Sequence, residues 1–334
     1  MDKILVTGGL GFIGSNFIRR ILYLRRNVTV INLDNMSEEA NPENLRDLEN
    51  DQRYHFIKGN IADIKLISKI VKKVDTIVNF AAETHVDRSI AEPRPFVDTN
   101  IIGTYRILEA TRKNNPEVRM LHVSTDEIYG DIERGSFEEN DGLKPSNPYS
   151  ATKAAADMLA LAYCRTYGLH LSVTRCTNNF GPYQHPEKLI PKAIIRAIKN
   201  LAIPVYGKGN QVRDWIYVQD HCDALLQILE KGKAGEIYNI SAGNELPNLK
   251  IVELILDIMK KPVNLIEFVD DRPGHDIRYS LDSTKIQSQI GWSPKHKLTE
   301  ALKDTVNWYM NNNKWWKPLA TTKTLHPTPW KLKW

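Results

Sequence analysis

Five residues of strand character, Lys3–Thr7, run straight into Gly8-Gly9-Leu10-Gly11-Phe12-Ile13-Gly14, and a helical pattern begins at once over Phe12–Leu24. A strand that turns on glycines into a helix leaves a chain few options. Ile4, Leu5 and Val6 are consecutive apolar residues, so both faces of the strand need covering, as in a parallel sheet packed between helices. The glycines permit a tight turn and let the backbone reach a pyrophosphate held at the positive helix N-terminus. Their spacing, G-x-x-G-x-x-G, differs by one residue from the dinucleotide pattern G-x-G-x-x-G. Asp34 adds a second constraint. It follows Gly14 by twenty residues, at the end of the next strand pattern, where a carboxylate binds the adenosine ribose hydroxyls of NAD and repels the extra phosphate of NADP. Glycines and acid in register favour NAD over an incidental turn and a solvated aspartate.

The alternation continues. Strand patterns at 28–33, 54–57, 76–80, 120–124 and 171–175 are separated by helical ones, among them 96–113 and Pro148–Tyr167. The expectation is an α/β fold: a doubly wound parallel sheet, Rossmann-type, over residues 1–180. Past 180 the rhythm shortens around Pro182, Pro186, Pro191 and Pro204, with helical patterns at 188–199, 220–230, 249–259 and 299–310. We expect a smaller α/β lobe over 181–316, exchanging some chain with the first, and a tail over 317–334. A length of 334 residues suits two lobes at about 100–200 residues per domain.

Composition excludes several classes. No apolar run approaches the roughly 18–20 residues of a membrane span, and the first residues do not form a secretory signal. Cys164, Cys176 and Cys222 are odd in number and lack a C-x-x-C, which excludes a disulfide framework and a cysteine zinc site. Nine scattered histidines show no ligand spacing, so no metal is expected. The net charge of +5 equals the five lysines of residues 314–334, which hold no acid, so no nucleic-acid footprint remains elsewhere. The expectation is a soluble, cytosolic protein.

Two clusters carry chemistry. Tyr149 and Lys153 stand four residues apart on a helix that Ser146-Asn147-Pro148 starts well, which puts phenol and ammonium on one face. A nearby cation lowers a phenol's pKa and makes it a usable base, an effect that bound NAD would increase. A surface tyrosine beside a solvated lysine is the plain alternative. The strand pattern at 120–124 runs into Thr125-Asp126-Glu127, at the carboxyl end where ligands of such sheets gather. Thr125 offers a hydroxyl to a substrate oxygen, and two carboxyls of different burial can serve as acid and base. The plain alternative is a solvated turn.

Together the stretches TGGLGFIG, FAAETHVDRSI, STDEIYG, PYSATKAAAD, NNFGPYQHPEKLIP, GNQVRDWIYVQDH, AGNE and DDRPGHDIRYSLD resemble the extended short-chain dehydrogenase/reductases, over about residues 3–310 and most closely the branch that dehydrates dTDP-glucose. The resemblance implies that NAD is lined by Gly8, Gly11, Phe12, Ile13, Gly14, Asp34, Asn35, Asn60, Ile61, Phe80, Ala81, Ala82, Thr99, Tyr149, Lys153 and Asn179. It implies a nucleoside-diphosphate sugar held by Thr84, Thr125, Asn178, Lys188, Leu189, Pro204, Tyr206, Arg213, Asn248, Arg272 and His275. Arg213 and Arg272 suit a diphosphate, although Arg213 could pair with Asp214 and His275 could be a core or capping histidine. The implied reaction is NAD-dependent removal of water across C5–C6, catalysed by Thr125, Asp126, Glu127, Tyr149 and Lys153. Asn60 stands where the family has an adenine-contacting Asp, and 35–41 lacks its Tyr-Ala-Gly pattern.

Relatives with other activities differ at Thr125-Asp126-Glu127: 4-epimerases resemble Ser-Ala-Thr there, and UDP-glucuronate decarboxylases and GDP-mannose dehydratases Thr-Ser-Glu. A UDP-glucose dehydratase, or an NAD-binding protein without catalysis, are the further alternatives. The family also implies a homodimer through helices 96–113 and Pro148–Tyr167, with Ile101, Ile102, Tyr105, Met158, Leu161 and Ala162 as apolar candidates. In the tail, Trp315 and Trp316 are expected to finish the last helix and dock on the small lobe. The rest should lie extended along the surface, so that removing 319–334 leaves NAD binding and turnover nearly intact. An adhesive for anionic membranes is the less favoured reading.

Overall fold

The structure is a computed structural model that describes residues 1–333; Trp334 of the tail lies outside the described residues. Seven strands, β1 (Lys3–Thr7), β2 (Thr29–Asp34), β3 (Tyr54–Lys58), β4 (Thr76–Asn79), β5 (Arg119–Thr125), β6 (Leu171–Cys176) and, far along the chain, β10 (Ile237–Ile240), form one sheet in the order β10-β6-β5-β4-β1-β2-β3. Every pairing in it is parallel. The order reverses between β1 and β4, and at such a switch point the loops leaving the two strands diverge and open a crevice.

The apolar strands are explained by what covers them. Ile4 and Val6 face a layer built from Phe17, Ile18 and Ile21 of helix Phe12–Leu24 and Val218, Cys222 and Leu225 of helix Val218–Lys231. Leu5 faces the opposite layer, with Ile67 and Ile70, Ile107 and Leu108, and Ala160 and Tyr163 from helices Ile64–Val71, Thr104–Asn114 and Pro148–Tyr167. Helix Val218–Lys231 and β10 thus belong to the large sheet, and the two lobes interleave.

The smaller lobe contains β7 (Asn178–Phe180), β8 (Ile203–Tyr206), β9 (Val212–Tyr217), β11 (Glu245–Pro247) and β12 (Ile266–Val269). They pair as β11-β9-β7 and β12-β8. Its core joins Ile194, Ile255, Leu302 and Tyr309 to Trp316 and Leu325 of the tail.

Helix Pro148–Tyr167 starts as its sequence predicts. The Asn147 side chain accepts from Ser150 N at 2.9 Å, the Ser150 hydroxyl accepts from Asn147 N at 3.3 Å, and Pro148 occupies the first turn. This capping box satisfies donors that the first turn leaves free. The helix ends at Gly168, whose φ of 69° is left-handed. The segment predicted as one helix over 96–113 departs from regularity: a π-helical stretch, Val97–Gly103, precedes Thr104–Asn114. In the wide turn Asn100 is buried and accepts from Glu83 N at 2.9 Å while donating to Glu83 O at 3.1 Å, so a neighbouring loop competes for the helix geometry.

The tail differs from its expectation. The last long helix, Leu298–Asn311, stops before a separate turn, Asn313–Trp316. Trp316 enters the small-lobe core, but Trp315 donates its indole N–H to Asn44 of the large lobe at 2.8 Å. Beyond it the chain is not an extended surface strip: Leu325 is 6% exposed and Pro329 is buried. No described helix is long and apolar enough to cross a membrane.

Helix Pro148–Tyr167 is fastened to the sheet by buried charge. Asp157 accepts from Arg175 Nε of β6 at 3.1 Å, and His122 of β5 stands 3.5 Å from its other oxygen. Arg175 also donates to the Tyr129 hydroxyl at 2.6 Å. Removing one partner of a buried pair strands the other charge, at a cost of about 3–5 kcal/mol. Arg175→Ala should therefore lower the urea midpoint by that equivalent with little change in slope; an unchanged midpoint would show that the pair does not secure the helix.

Candidate active site

The carboxyl ends of β1, β2, β4, β5 and β6 open on a cavity of about 250 Å3. Its floor is the glycine turn. Gly8 has a left-handed φ of 69°, and a Cβ there would stand 2.7 Å from Ala81 N, while one on Gly14 would stand 2.4 Å from Gly8 O. No side chain could be added to either without moving backbone. Helix Phe12–Leu24 begins over this turn with no side-chain cap at Gly11, so its first N–H groups face the cavity as an anion site. Asp34 is the last residue of β2. It is buried and accepts from Leu10 N at 3.0 Å and Met36 N at 2.8 Å; burial raises its pKa and these donors counter the rise. The cradle fits a dinucleotide whose ribose hydroxyls meet a carboxylate.

Of the residues expected at the cofactor, Gly8, Gly11, Phe12, Ile13, Gly14, Asp34, Asn35, Ile61, Phe80, Ala81, Ala82, Thr99, Tyr149, Lys153 and Asn179 all line this cavity. Asn60 is not among the lining residues; its side chain accepts from Ala62 N at 2.8 Å and stabilises the turn after β3. That local hydrogen bond competes with any outward role.

Thr125, Asp126, Glu127, Tyr149 and Lys153 line the same cavity. Asp126 is buried and Glu127 half-buried at the end of β5, and the buried atoms Asp126 Oδ2 and Glu127 Oε2 lack protein partners. Burial and then Glu127 push Asp126 well above the ordinary carboxyl value, although the Thr125 hydroxyl donates to it at 3.2 Å. Burial also raises Glu127, but Arg272, Arg213 and Lys188 pull it back. The pair is thus biased towards one protonated and one ionised group.

The expectation for Tyr149 requires a correction. Burial, then Glu127 and Cys176, push its phenol well above 10. Lys153, whose ammonium donates to the Val123 carbonyl at 2.7 Å, is not among the groups that lower it. A buried ammonium needs a strong acceptor, and the strand end supplies one within reach.

A second cavity, about 180 Å3, shares Thr84, Glu127, Asn178 and Lys188 with the first. It is lined by Leu189, Pro204, Tyr206, Arg213, Asn248, Arg272 and His275, so every residue expected at the sugar nucleotide lies in one cavity or the other. Arg213 does not pair with Asp214: it donates to the carbonyls of Val212 at 2.8 Å and Asp276 at 2.8 Å and lies over the Tyr279 ring. Asp214 instead accepts from Ala242 N and Asn244 N. His275 meets Asp271 at 2.6 Å, yet burial and the neighbouring Arg272 and Arg213 lower its pKa to about 4, so it is neutral at pH 7. Asn178 Oδ1, Asn248 Oδ1 and Arg272 Nε are buried without protein partners, as polar atoms reserved for a ligand would be.

Other residues were missed by sequence reasoning. Asp87 accepts from Arg272 Nη1 at 2.6 Å and from the Tyr206 hydroxyl at 3.0 Å. Burial would raise its pKa, but Arg272 and other cations hold it at about 2. Its presence inside FAAETHVDRSI was the only available signal. Glu39 comes from the 35–41 stretch that departs from the family pattern. It accepts from the Thr84 hydroxyl at 2.5 Å and pairs with Arg88, so it joins the loop after β2 to the second cavity.

The comparisons agree with this arrangement. The family model described as GDP-mannose 4,6 dehydratase matches residues 5–305. The chain belongs to that family. Among its relatives, the dTDP-glucose 4,6-dehydratase of Streptomyces niveus is 47% identical over 96% of each chain. The solved structure of the Streptomyces venezuelae dTDP-glucose 4,6-dehydratase, with NAD bound, is 44% identical with a TM-score of 0.93, covering 95% of this chain and 99% of that one. The NAD complex of the Bacillus anthracis enzyme is also 44% identical, with a TM-score of 0.90, covering 96% and 100%. The parallel sheet and its glycine turn are those of this dehydratase family.

A carboxylate at Asp34, on the wall of the cavity, would repel the 2′-phosphate of NADP. Nucleotide released from the denatured protein should be NAD, and mainly NADP would overturn the role given to Asp34.

Proposed function

We propose that this chain is a dTDP-glucose 4,6-dehydratase, converting the sugar nucleotide to its 4-keto-6-deoxy product with NAD. The observation that carries the proposal is the Thr125-Asp126-Glu127 run, which lines one cavity with Tyr149. An epimerase needs no carboxyl pair, and the decarboxylase pattern lacks the Asp, so Asp126 separates this chemistry from its neighbours. Relatives named dTDP-glucose 4,6-dehydratase, at 43–47% identity, support the same substrate.

Gly8, Gly11, Gly14 and Asp34 would hold NAD. When bound, it adds positive charge to the cavity that Tyr149 lines and takes up and returns the hydride. In this proposal Tyr149 accepts the C4 hydroxyl proton while Thr125 holds that oxygen, and the added charge offsets the burial that keeps the phenol protonated. Lys153, anchored on Val123 O, adds a fixed positive charge to the same wall. Oxidation at C4 acidifies the C5 proton, which Glu127 removes. Asp126 gives its proton to the departing C6 hydroxyl, which leaves as water, and the proton held by Glu127 returns to C5. Arg213 and Arg272 serve the diphosphate.

We also propose a cytoplasmic homodimer. The described cysteines are all free, as a reducing compartment keeps them. Ile102, 41% exposed, and Met158, 50% exposed, lie on the two helices that the family pairs, while Ile101, Tyr105 and Leu161 are half-buried and Ala162 exposed. Such apolar exposure suits a helical interface. Light scattering at micromolar concentration should give twice the chain mass, and a monomer would refute the dimer.

The decisive assay incubates the protein with dTDP-glucose and UDP-glucose and follows the alkaline absorbance of a 4-keto-6-deoxy sugar. Product from dTDP-glucose is expected; product from UDP-glucose alone would overturn the base assignment. Asp126→Asn and Glu127→Gln should slow elimination by about 10²–10⁴-fold and spare oxidation, so that reduced nicotinamide accumulates transiently. Equal loss of both steps would make the pair structural. Wild-type elimination should fail at low pH as Glu127 gains a proton and at high pH as Asp126 loses one, both at values above the ordinary carboxylate range.

A further inference from the structure

The end of the chain packs behind the wall of the second cavity. The turn Pro329–Lys331 lies against helix Val86–Ala91, which carries Asp87. Trp330 meets Tyr206 edge to face, with ring centroids 4.7 Å apart and planes at 77°. On another side Tyr206 faces His275 at 6.2 Å, and its hydroxyl ends on Asp87, the carboxylate that also holds Arg272. The segment is tied down at several points. Lys192 Nζ donates to His326 O at 3.3 Å and Arg196 Nη1 to Leu325 O at 2.6 Å. Lys331 pairs at 2.6 Å with Asp270, two residues before Arg272. The exposed Lys331 pair contributes little by itself, but buried Leu325 and the two carbonyl bonds fix the path of the chain.

We propose that Trp330 is a positioning residue of the sugar-nucleotide site, and that the C-terminal segment is a structural part of that site. The proposal rests on the dehydratase reading given above. Trp330 is not a wall of either cavity; it acts through Tyr206. With the indole in place the Tyr206 ring has one orientation, its hydroxyl stays on Asp87, and Arg272 keeps the geometry that a diphosphate requires. Without it the ring gains rotamers and water, and the Asp87–Arg272 pair loses its third member. Thr125, Asp126 and Tyr149 line only the other cavity and Glu127 lines both, so the main effect falls on binding and only a small one on the chemical steps. The proposal departs from the expectation that removing 319–334 leaves turnover nearly intact: below saturation, turnover would fall with binding.

The test compares NAD-loaded wild type, Trp330→Ala and Trp330→Phe in steady-state turnover of dTDP-glucose and in calorimetric binding of dTDP. Trp330→Ala should raise KM and the dTDP Kd together by about three- to tenfold, the scale of one aromatic pair, with kcat within about twofold. Trp330→Phe should restore most of the loss. If the alanine variant does not fold, Trp330→Leu, which keeps apolar bulk without the ring, takes its place. An unchanged KM and Kd would overturn the proposal, as would a loss confined to kcat and melting temperature. A wild type inert to dTDP-glucose and unable to bind dTDP would overturn the dehydratase reading and this proposal with it, whereas an active wild type with an indifferent variant overturns this proposal alone.

Discussion

The buried contact between Arg175 and Asp157 is the constraint on which the site depends. Helix Pro148–Tyr167 has to present Tyr149 and Lys153 to a cavity at one end of the sheet, and an apolar helix face alone would tolerate sliding. A guanidinium on β6 and a carboxylate on the helix, both fully buried, tolerate almost none, because any shift leaves charge without a partner in a medium that does not solvate it. The fastening continues through neighbouring strands. His122 of β5 stands by Asp157 and contacts Asn79 of β4 at 3.1 Å, and Asn79 accepts from Thr7 of β1 at 2.6 Å. The catalytic helix and the glycine turn are therefore positioned by one polar chain that crosses the sheet interior.

Charge is distributed differently at the ligand end of the same strands. There the structure tolerates groups that oppose one another. Asp126 and Glu127 are neighbours that cannot both ionise cheaply when buried, and the cations that moderate Glu127 come from three separate segments: Lys188 before helix Leu189–Ile198, Arg213 on β9, and Arg272 after β12. The same arginines serve two purposes. They bias which carboxyl is ionised, and in the proposed function they offer a diphosphate its counter-charge. A cluster with these demands is stable only if the surrounding core is firm, and the three large apolar clusters supply that firmness.

The interleaving of the lobes has a related consequence. β10 and helix Val218–Lys231 cross back to the large sheet, so the smaller lobe cannot detach as a unit without breaking the parallel sheet. Trp315 on Asn44 and Trp330 on Tyr206 add further ties between the chain end and earlier segments. The wall of the second cavity is thus assembled from residues near 87, 206 and 272, with residue 330 packed behind Tyr206.

The sequence by itself determined the parts whose physics is local. Gly8 and Gly14 announce a turn that a side chain at either would break; Asn147-Pro148 announces a helix start; consecutive apolar residues announce strands covered on both faces. Each depends on neighbours a few residues away, so spacing reveals it. The order of strands, the return of β10, the π-helical stretch at Val97–Gly103 and the path of the tail depend on contacts between distant segments, and no local pattern encodes them. Residue 60 shows the limit well: its motif position suggested a ligand contact, and no local pattern could show that its Oδ1 accepts from Ala62 N. Lys153 shows another, since spacing places it on the face of Tyr149 but cannot show that one of its donors goes to the Val123 carbonyl. Which polar atom a buried charge finds is decided by the tertiary structure alone, because burial removes water as the default partner and leaves only what the fold brings near.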